Sequence, residues 1–272
     1  MKFIKGLKTV FIFFWMIYSA LCSLALADDG SIPFSPGEKL RYSIYAAGWR
    51  VGYQTIELKS IRKYNGIDVY MVKGLSRTTP FVSIFYRLND DWSIFIERSS
   101  LFPLRIEKDW QEGKKEGYYV YEIDQQEHIV TLHNISGGNT KTIEANNTVF
   151  DIFSLIYYYR VNHVEFESSY TFDFLETKSL RTVHFQNEGE VEIRVPQISR
   201  QKLIAAQKLK QIGGIGIEIY VGTDNLKLPL KMIVPSILPR KKVIDIEFYI
   251  DRYYPGKDQK NIPAVYRLIK KK

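Results

Sequence analysis

Cysteine is nearly missing from this chain: among 272 residues there is one, Cys22, and there are only four histidines. A lone thiol cannot form an intramolecular disulfide, so stability has to come from a packed core. Nucleophile signatures are missing too. There is no G-x-S-x-G elbow, and "GGIG" at 213–216 runs into the strand-like "IEIYV" instead of a helix, so it reads as a turn and not as a phosphate loop. The adjacent pairs Asp28–Asp29 and Asp90–Asp91 would diverge on a strand, which excludes them as acid–base partners.

Metal-ligand clusters are equally sparse. His128 and His133 are five residues apart and would face opposite sides of a strand. His163 with Glu165 and Glu167 reads as a solvated loop, and Glu188, Glu190 and Glu192 read as a wet strand face balanced by Arg181 or Arg194. No metal, cofactor or catalytic residue is expected. The formal charge of +8 falls to +5 without Lys2, Lys5 and Lys8, a mild excess that gives no reason to expect nucleic acid as a partner.

What is present starts with an export pattern. Lys2, Lys5 and Lys8 precede an uncharged stretch from Thr9 to Ala27, and "ALA" at 25–27 stands just before Asp28 and Asp29. This predicts a signal peptide over residues 1–27, cleaved after Ala27, and a periplasmic or secreted product that has also lost Cys22. The alternative is an uncleaved anchor in the inner membrane, because the stretch approaches the ~20 residues needed to span a bilayer. Residues 28–36 read as a linker, 37–252 as one β domain and 253–272 as a basic tail. Lys270, Lys271 and Lys272 could touch a membrane surface.

Period-2 alternation dominates the domain. Leu40, Tyr42 and Ile44 share one strand face; so do Trp92, Ile94 and Ile96, and so do Ile244, Ile246, Phe248 and Ile250. Turns such as "YNG" at 64–66 and "NEG" at 187–189 separate them, giving roughly ten to twelve strands of a curved antiparallel meander. "SSLFPLRIEK" at 99–108 resembles "DNLKLPLKMIV" at 224–234, as two meander halves would require.

One segment breaks the pattern. In "FDIFSLIYYYR", 150–160, Ile152, Leu155, Ile156 and Tyr159 follow helical spacing, with Asp151 as N-cap and apolar residues on most other sides. A helix that is apolar all round has to be enclosed, and at ~1.5 Å per residue this one is short enough for a bent sheet to wrap. Ile152, Leu155, Ile156, Tyr159, Trp92 and Tyr42 are therefore candidates for core or for the lining of an apolar cavity. The nineteen tyrosines and sixteen phenylalanines suit either role.

"FSPGEKLRYSIYAAGWRVGYQTIELKS", "DIFSLIYYYR" and "VGTDNLKLPLKMIV", in that order, resemble the bacterial domain-of-unknown-function family 3108, over residues 34 to 251. The resemblance implies an exported protein with a half-barrel like that of the outer-membrane lipoprotein carriers (LolA/LolB type), a curved sheet around a short helix. Together the observations predict a non-enzymatic envelope protein that binds or carries a lipid or lipoprotein acyl chain. The alternative is a structural or assembly factor acting through its surface. An enzyme of envelope polysaccharide or lipid has only the compartment in its favour. Ligand identity and oligomeric state are not specified by the sequence.

Overall fold

Alternating apolar and polar residues build two successive meanders. The first holds β1 (Lys39–Ala46), β2 (Trp49–Tyr64), β3 (Ile67–Thr78), the short α1 (Pro80–Ser83), β4 (Leu88–Glu97), β5 (Pro103–Glu112), β6 (Lys115–Asp124), β7 (Ile129–Asn134) and β8 (Asn139–Glu144). After β9 (Val149–Phe150) and α2 (Ile152–Val161) comes the second: β10 (Ser169–Leu175), β11 (Leu180–Arg194), β12 (Leu203–Ile212), β13 (Glu218–Gly222), β14 (Pro229–Ile237) and β15 (Val243–Tyr254). The computed structural model describes residues 32–162, 166–198, 202–237, 243–259, 262, 263 and 266. The expected signal segment 1–27, Asp28 and Asp29, His163, Glu165 and Lys270, Lys271 and Lys272 lie outside the described residues. Among the described residues, no helix is long and apolar enough to cross a membrane.

All fifteen strands join one sheet, ordered β8-β7-β6-β5-β4-β3-β2-β1-β15-β14-β13-β12-β11-β10-β9. Neighbours are antiparallel except β9 and β10, which run parallel. The meanders meet at β1 and β15, where Lys39 opposes Tyr254 and Ala46 opposes Ile246. β5 and β14 both open on a proline, Pro103 and Pro229, in the matching sequences noted above. Fifteen strands exceed the ten to twelve expected. β8, NTKTIE, is exposed at nearly every position and shows no alternation, and β9 is a single period of two residues.

The sheet is unclosed, yet its two edges must approach, because only residues 145–148 link β8 to β9. Side chains bridge the gap where no ladder does. The Gln125 amide donates to the Val149 carbonyl and accepts from the Val149 N–H, both at 3.0 Å, satisfying the free edge of β9. Asp173 on β10 accepts from the backbone N–H groups of Asn146 and Asn147 at 2.6 and 3.0 Å. Tyr121 on β6 donates to the Thr177 carbonyl at 2.9 Å.

Inside the roll sits α2, with Phe153, Leu155, Ile156, Tyr157 and Tyr159 buried. Each buried large apolar side chain contributes about 1.5–3 kcal/mol. Its partners come from both meanders: Phe153 packs edge-on against Trp92, 5.5 Å between ring centroids, and Tyr159 against Tyr170 at 6.0 Å. β3 makes room with Gly74, where a Cβ would stand 2.6 Å from the Phe153 ring.

The expected linker and tail also take part in the core. Phe34 is buried and contacts Tyr157 at 4.8 Å, while Tyr253 and Tyr266 are 1% exposed and meet at 5.9 Å. Phe34, Tyr253 and Tyr266 are thus core rather than parts of appendages, and the Pro33 carbonyl receives Arg160 at the end of α2. Residues Pro33–Lys272 form a single compact unit.

Candidate functional site: a cavity beside the central helix

The orientation of α2 is set at both of its ends. At its start the Asp151 carboxylate accepts from the Phe153 and Ser154 N–H groups, each at 3.0 Å, and the Asp151 N–H donates to the Ser154 hydroxyl at 3.1 Å. This reciprocal cap satisfies donors that burial would otherwise leave unpaired. Burial raises the Asp151 carboxyl above its usual range, against the Ser154 hydroxyl and the capping amides. Ser154 is committed to the cap, where its hydroxyl also donates to the Asp151 carbonyl at 3.1 Å.

At the other end, Arg160 is 1% exposed and pairs with Glu38, which is fully buried. Its Nε donates to the Leu226 carbonyl at 3.1 Å and its Nη2 to the Pro33 carbonyl at 3.0 Å. Glu38 accepts further from Gln259 at 3.0 Å. Four of the five guanidinium N–H groups thus have acceptors within the fold, two of them on the Glu38 carboxylate, as a structural pair requires.

Held this way, α2 leaves space on the side facing the second meander. A cavity of about 290 Å³ lies between Ile152 and Leu155 of the helix and Phe174, Val183, Met232 and Phe248 of the sheet. Its remaining borders include Phe185, Ile215, Ile217 and Val234. The polar groups at its margin are Gln54, Gln211, Glu176 and Arg181. Gln211 is satisfied within the wall, accepting from the Ile217 N–H at 3.2 Å. Arg181 and Glu176 form an exposed ion pair at 2.7 Å, so the charges stand at the mouth and the apolar wall lies behind them. A smaller cavity, about 210 Å³, lies beside the last turn of α2 between Tyr159, Leu209, Val221 and Lys227. The Tyr159 hydroxyl is buried there and has no hydrogen-bond partner among the described residues.

The six candidates read from the sequence thus separate. Ile152 and Leu155 line the larger cavity and Tyr159 the smaller one. Ile156 is buried in the core, as is Tyr42, which donates to the Pro229 carbonyl at 3.0 Å. Trp92 packs on the far side of the helix, with the Lys108 ammonium 4.5 Å from its ring centroid. The sheet residues of the cavity wall did not stand out, because period-2 alternation names an inward face without showing where facing side chains fail to meet. No local pattern marks Arg160, because its partner lies 122 residues away.

The weaker metal candidates also have places. The His133 ring meets the Thr140 hydroxyl at 3.1 Å on the exposed β7–β8 hairpin. Glu188 is balanced by Lys208 at 2.9 Å and Lys210 at 3.6 Å, not by Arg181 or Arg194 as expected, because a bulge at Asn187–Gly189 shifts the register towards β12. Among the described residues, no group of three or more His, Cys, Asp or Glu side chains could hold a metal ion.

Comparison with known proteins agrees with this architecture. A crystal structure titled as a beta-barrel-like protein of domain of unknown function DUF1849, from Brucella abortus, superposes with a TM-score of 0.50 at 8% identity. The match covers 83% of this chain and 99% of that one, and at such identity it speaks for the fold alone. No curated protein matches the sequence. The model of a protein family of unknown function, DUF3108, matches residues 41–236, and the chain belongs to that family.

Proposed function

We propose that this is an exported, non-enzymatic envelope protein that holds one acyl chain, of a lipid or a lipoprotein, between α2 and the second meander. The observation that carries the reading is the apolar cavity of about 290 Å³ beside Ile152 and Leu155, with Arg181 and Glu176 at its mouth. Ligand sites run from about 300 Å³ upward, so this volume suits a single chain and not a whole diacyl lipid. Each methylene moved from water into such a wall contributes about 0.8 kcal/mol. Arg181 is placed to exchange Glu176 for the carboxylate or phosphate of an amphiphile. The described residues bordering the cavity include no serine, cysteine or histidine, which favours binding over chemistry. The basic–apolar–"ALA" start of the chain supports an envelope location.

Organic extraction of the purified protein followed by mass spectrometry is the test. Acyl lipid near one equivalent per chain is expected. Extracts free of lipid, together with no binding of an added fluorescent fatty acid, would overturn the reading.

A further inference from the structure

One end of the sheet carries large apolar side chains that are exposed among the described residues. Trp49 is 79% exposed, Phe81 72%, Ile84 76%, Phe85 78% and Tyr86 51%. They sit together. Gly52 opposes Thr78 across β2 and β3, and the Thr79 N–H donates to the Val51 carbonyl at 2.8 Å, setting the β1–β2 hairpin beside the 79–87 connection. The Gly113 N–H donates to the Arg87 carbonyl at 2.7 Å, which adds the β5–β6 turn to the same end. Phe81 and Phe85 meet edge-on at 5.7 Å, so they form one apolar ridge. Thr79 caps α1 by accepting from the Val82 N–H, which holds the ridge in shape without covering it.

Five such residues, brought to one end of the sheet by these backbone bonds around the Phe81–Phe85 pair, exceed the scattered exposure of an ordinary surface. Its surroundings specify the occupant. Arg50, Arg87, Lys114 and Lys115 are exposed around it. Arg50 is balanced by Asp251 at 3.9 Å, and Lys108, 3.9 Å from Glu112, is already paired with Asp90 at 3.4 Å, so Arg87, Lys114 and Lys115 face Glu112 and Glu116, an excess of one cation. Aromatic rings ringed by excess cations match the interface of an anionic bilayer, where rings enter the headgroup region and cations pair with phosphates.

The cavity lies toward the same end. Connections of a meander alternate between its two ends, so the β10–β11 and β12–β13 turns share this one with the β1–β2, β3–β4 and β5–β6 connections. Lys114 and Lys115 border the same surface hollow as Glu176 and Lys178. Glu176 and Ile215 border the cavity from these two turns, and Arg181 from the start of β11.

We infer that the ridge formed by Trp49, Phe81, Ile84, Phe85 and Tyr86 docks the protein onto an anionic lipid surface, bringing the mouth at Arg181 to the headgroups. Docking stands independently of cavity occupancy, since the ridge is built from other residues.

The test uses the exported chain from Asp28 onward, which holds no cysteine of its own, with an environment-sensitive fluorophore placed by Phe85→Cys or, at the opposite end, by Gln126→Cys. With phosphatidylcholine vesicles containing phosphatidylglycerol, the label at position 85 should shift to the blue and be quenched by brominated lipid, while that at 126 stays as in buffer. Phe81→Ser with Ile84→Ser should weaken vesicle partitioning at least about tenfold, and added salt should weaken the wild type. An unshifted label at 85, or equal shifts at both positions, would overturn docking. A blue shift at 85 that grows with protein concentration without vesicles would also overturn it, assigning the ridge to a second copy of the chain. Fatty-acid binding in vesicle-free solution, measured on the Ser variant, reports on the cavity alone, so either proposal can fail without the other.

Discussion

Arg160 and Glu38 form a two-armed ion pair inside the protein: Nη1 donates to Oε1 at 2.5 Å and Nη2 to Oε2 at 2.8 Å. The pair joins the end of the central helix to the chain just before β1, across 122 positions of sequence. Both residues are essentially without solvent, so removing one leaves the other charged and unpaired. Arg160→Met should destabilise the fold by about 3–5 kcal/mol, and Glu38→Leu by a similar amount. Combining Arg160→Met with Glu38→Leu should cost less than either change alone. Urea unfolding of the three variants checks this, and additive losses would show that the two groups are not coupled.

Ile156 tests the enclosure of the helix. It is 4% exposed on an element surrounded by both meanders. Ile156→Asp should lower stability by several kcal/mol, since a carboxylate there would have no partner and no water. A melting temperature equal to that of the wild type would mean that this face of α2 is not enclosed.

The hold of Asp173 on the link between β8 and β9 should weaken in acid. Burial on its own would raise its carboxyl, but the Thr182 hydroxyl, the Asn146 and Asn147 amides and the Asn147 side chain outweigh that and hold it below the usual value. The folded state therefore binds this proton less tightly than the unfolded chain, whose ordinary value is about 3.9. The stability it contributes is present above that value and is lost as pH falls through the lowered folded one. Asp173→Asn should cost about 1–2 kcal/mol at neutral pH. Below about pH 4 the gap between variant and wild type should narrow, which thermal melts across that range would detect. A gap constant with pH would assign the acid sensitivity elsewhere.

Much of this architecture was legible locally. Asp151 and the spacing Ile152, Leu155, Ile156, Tyr159 marked the helix and its cap, and Leu40, Tyr42 and Ile44 are all buried on β1. Illegible were the features made by distant residues meeting. Gln125 substitutes for a missing strand partner of Val149, and nothing around either residue signals it. β8 is an edge with both faces wet, so it carries no hydrophobic code. Phe34, Tyr253 and Tyr266 lie near the chain ends, where polar and turn-forming neighbours disguise a contribution to the core. The cavity is the extreme case, because it depends on Met232, Val183 and Phe248 failing to reach Leu155.

Filling that space is the most direct test of the binding reading. Val234 borders the cavity and is only partly buried, so Val234→Trp can occupy it with little overpacking of the wall. A fluorescent fatty acid titrated into the wild type should saturate near one site per chain, and the variant, melting within a few degrees of the wild type, should bind at least about tenfold more weakly. Equal binding by the two proteins, or none by the wild type, would contradict an acyl-chain site beside the helix.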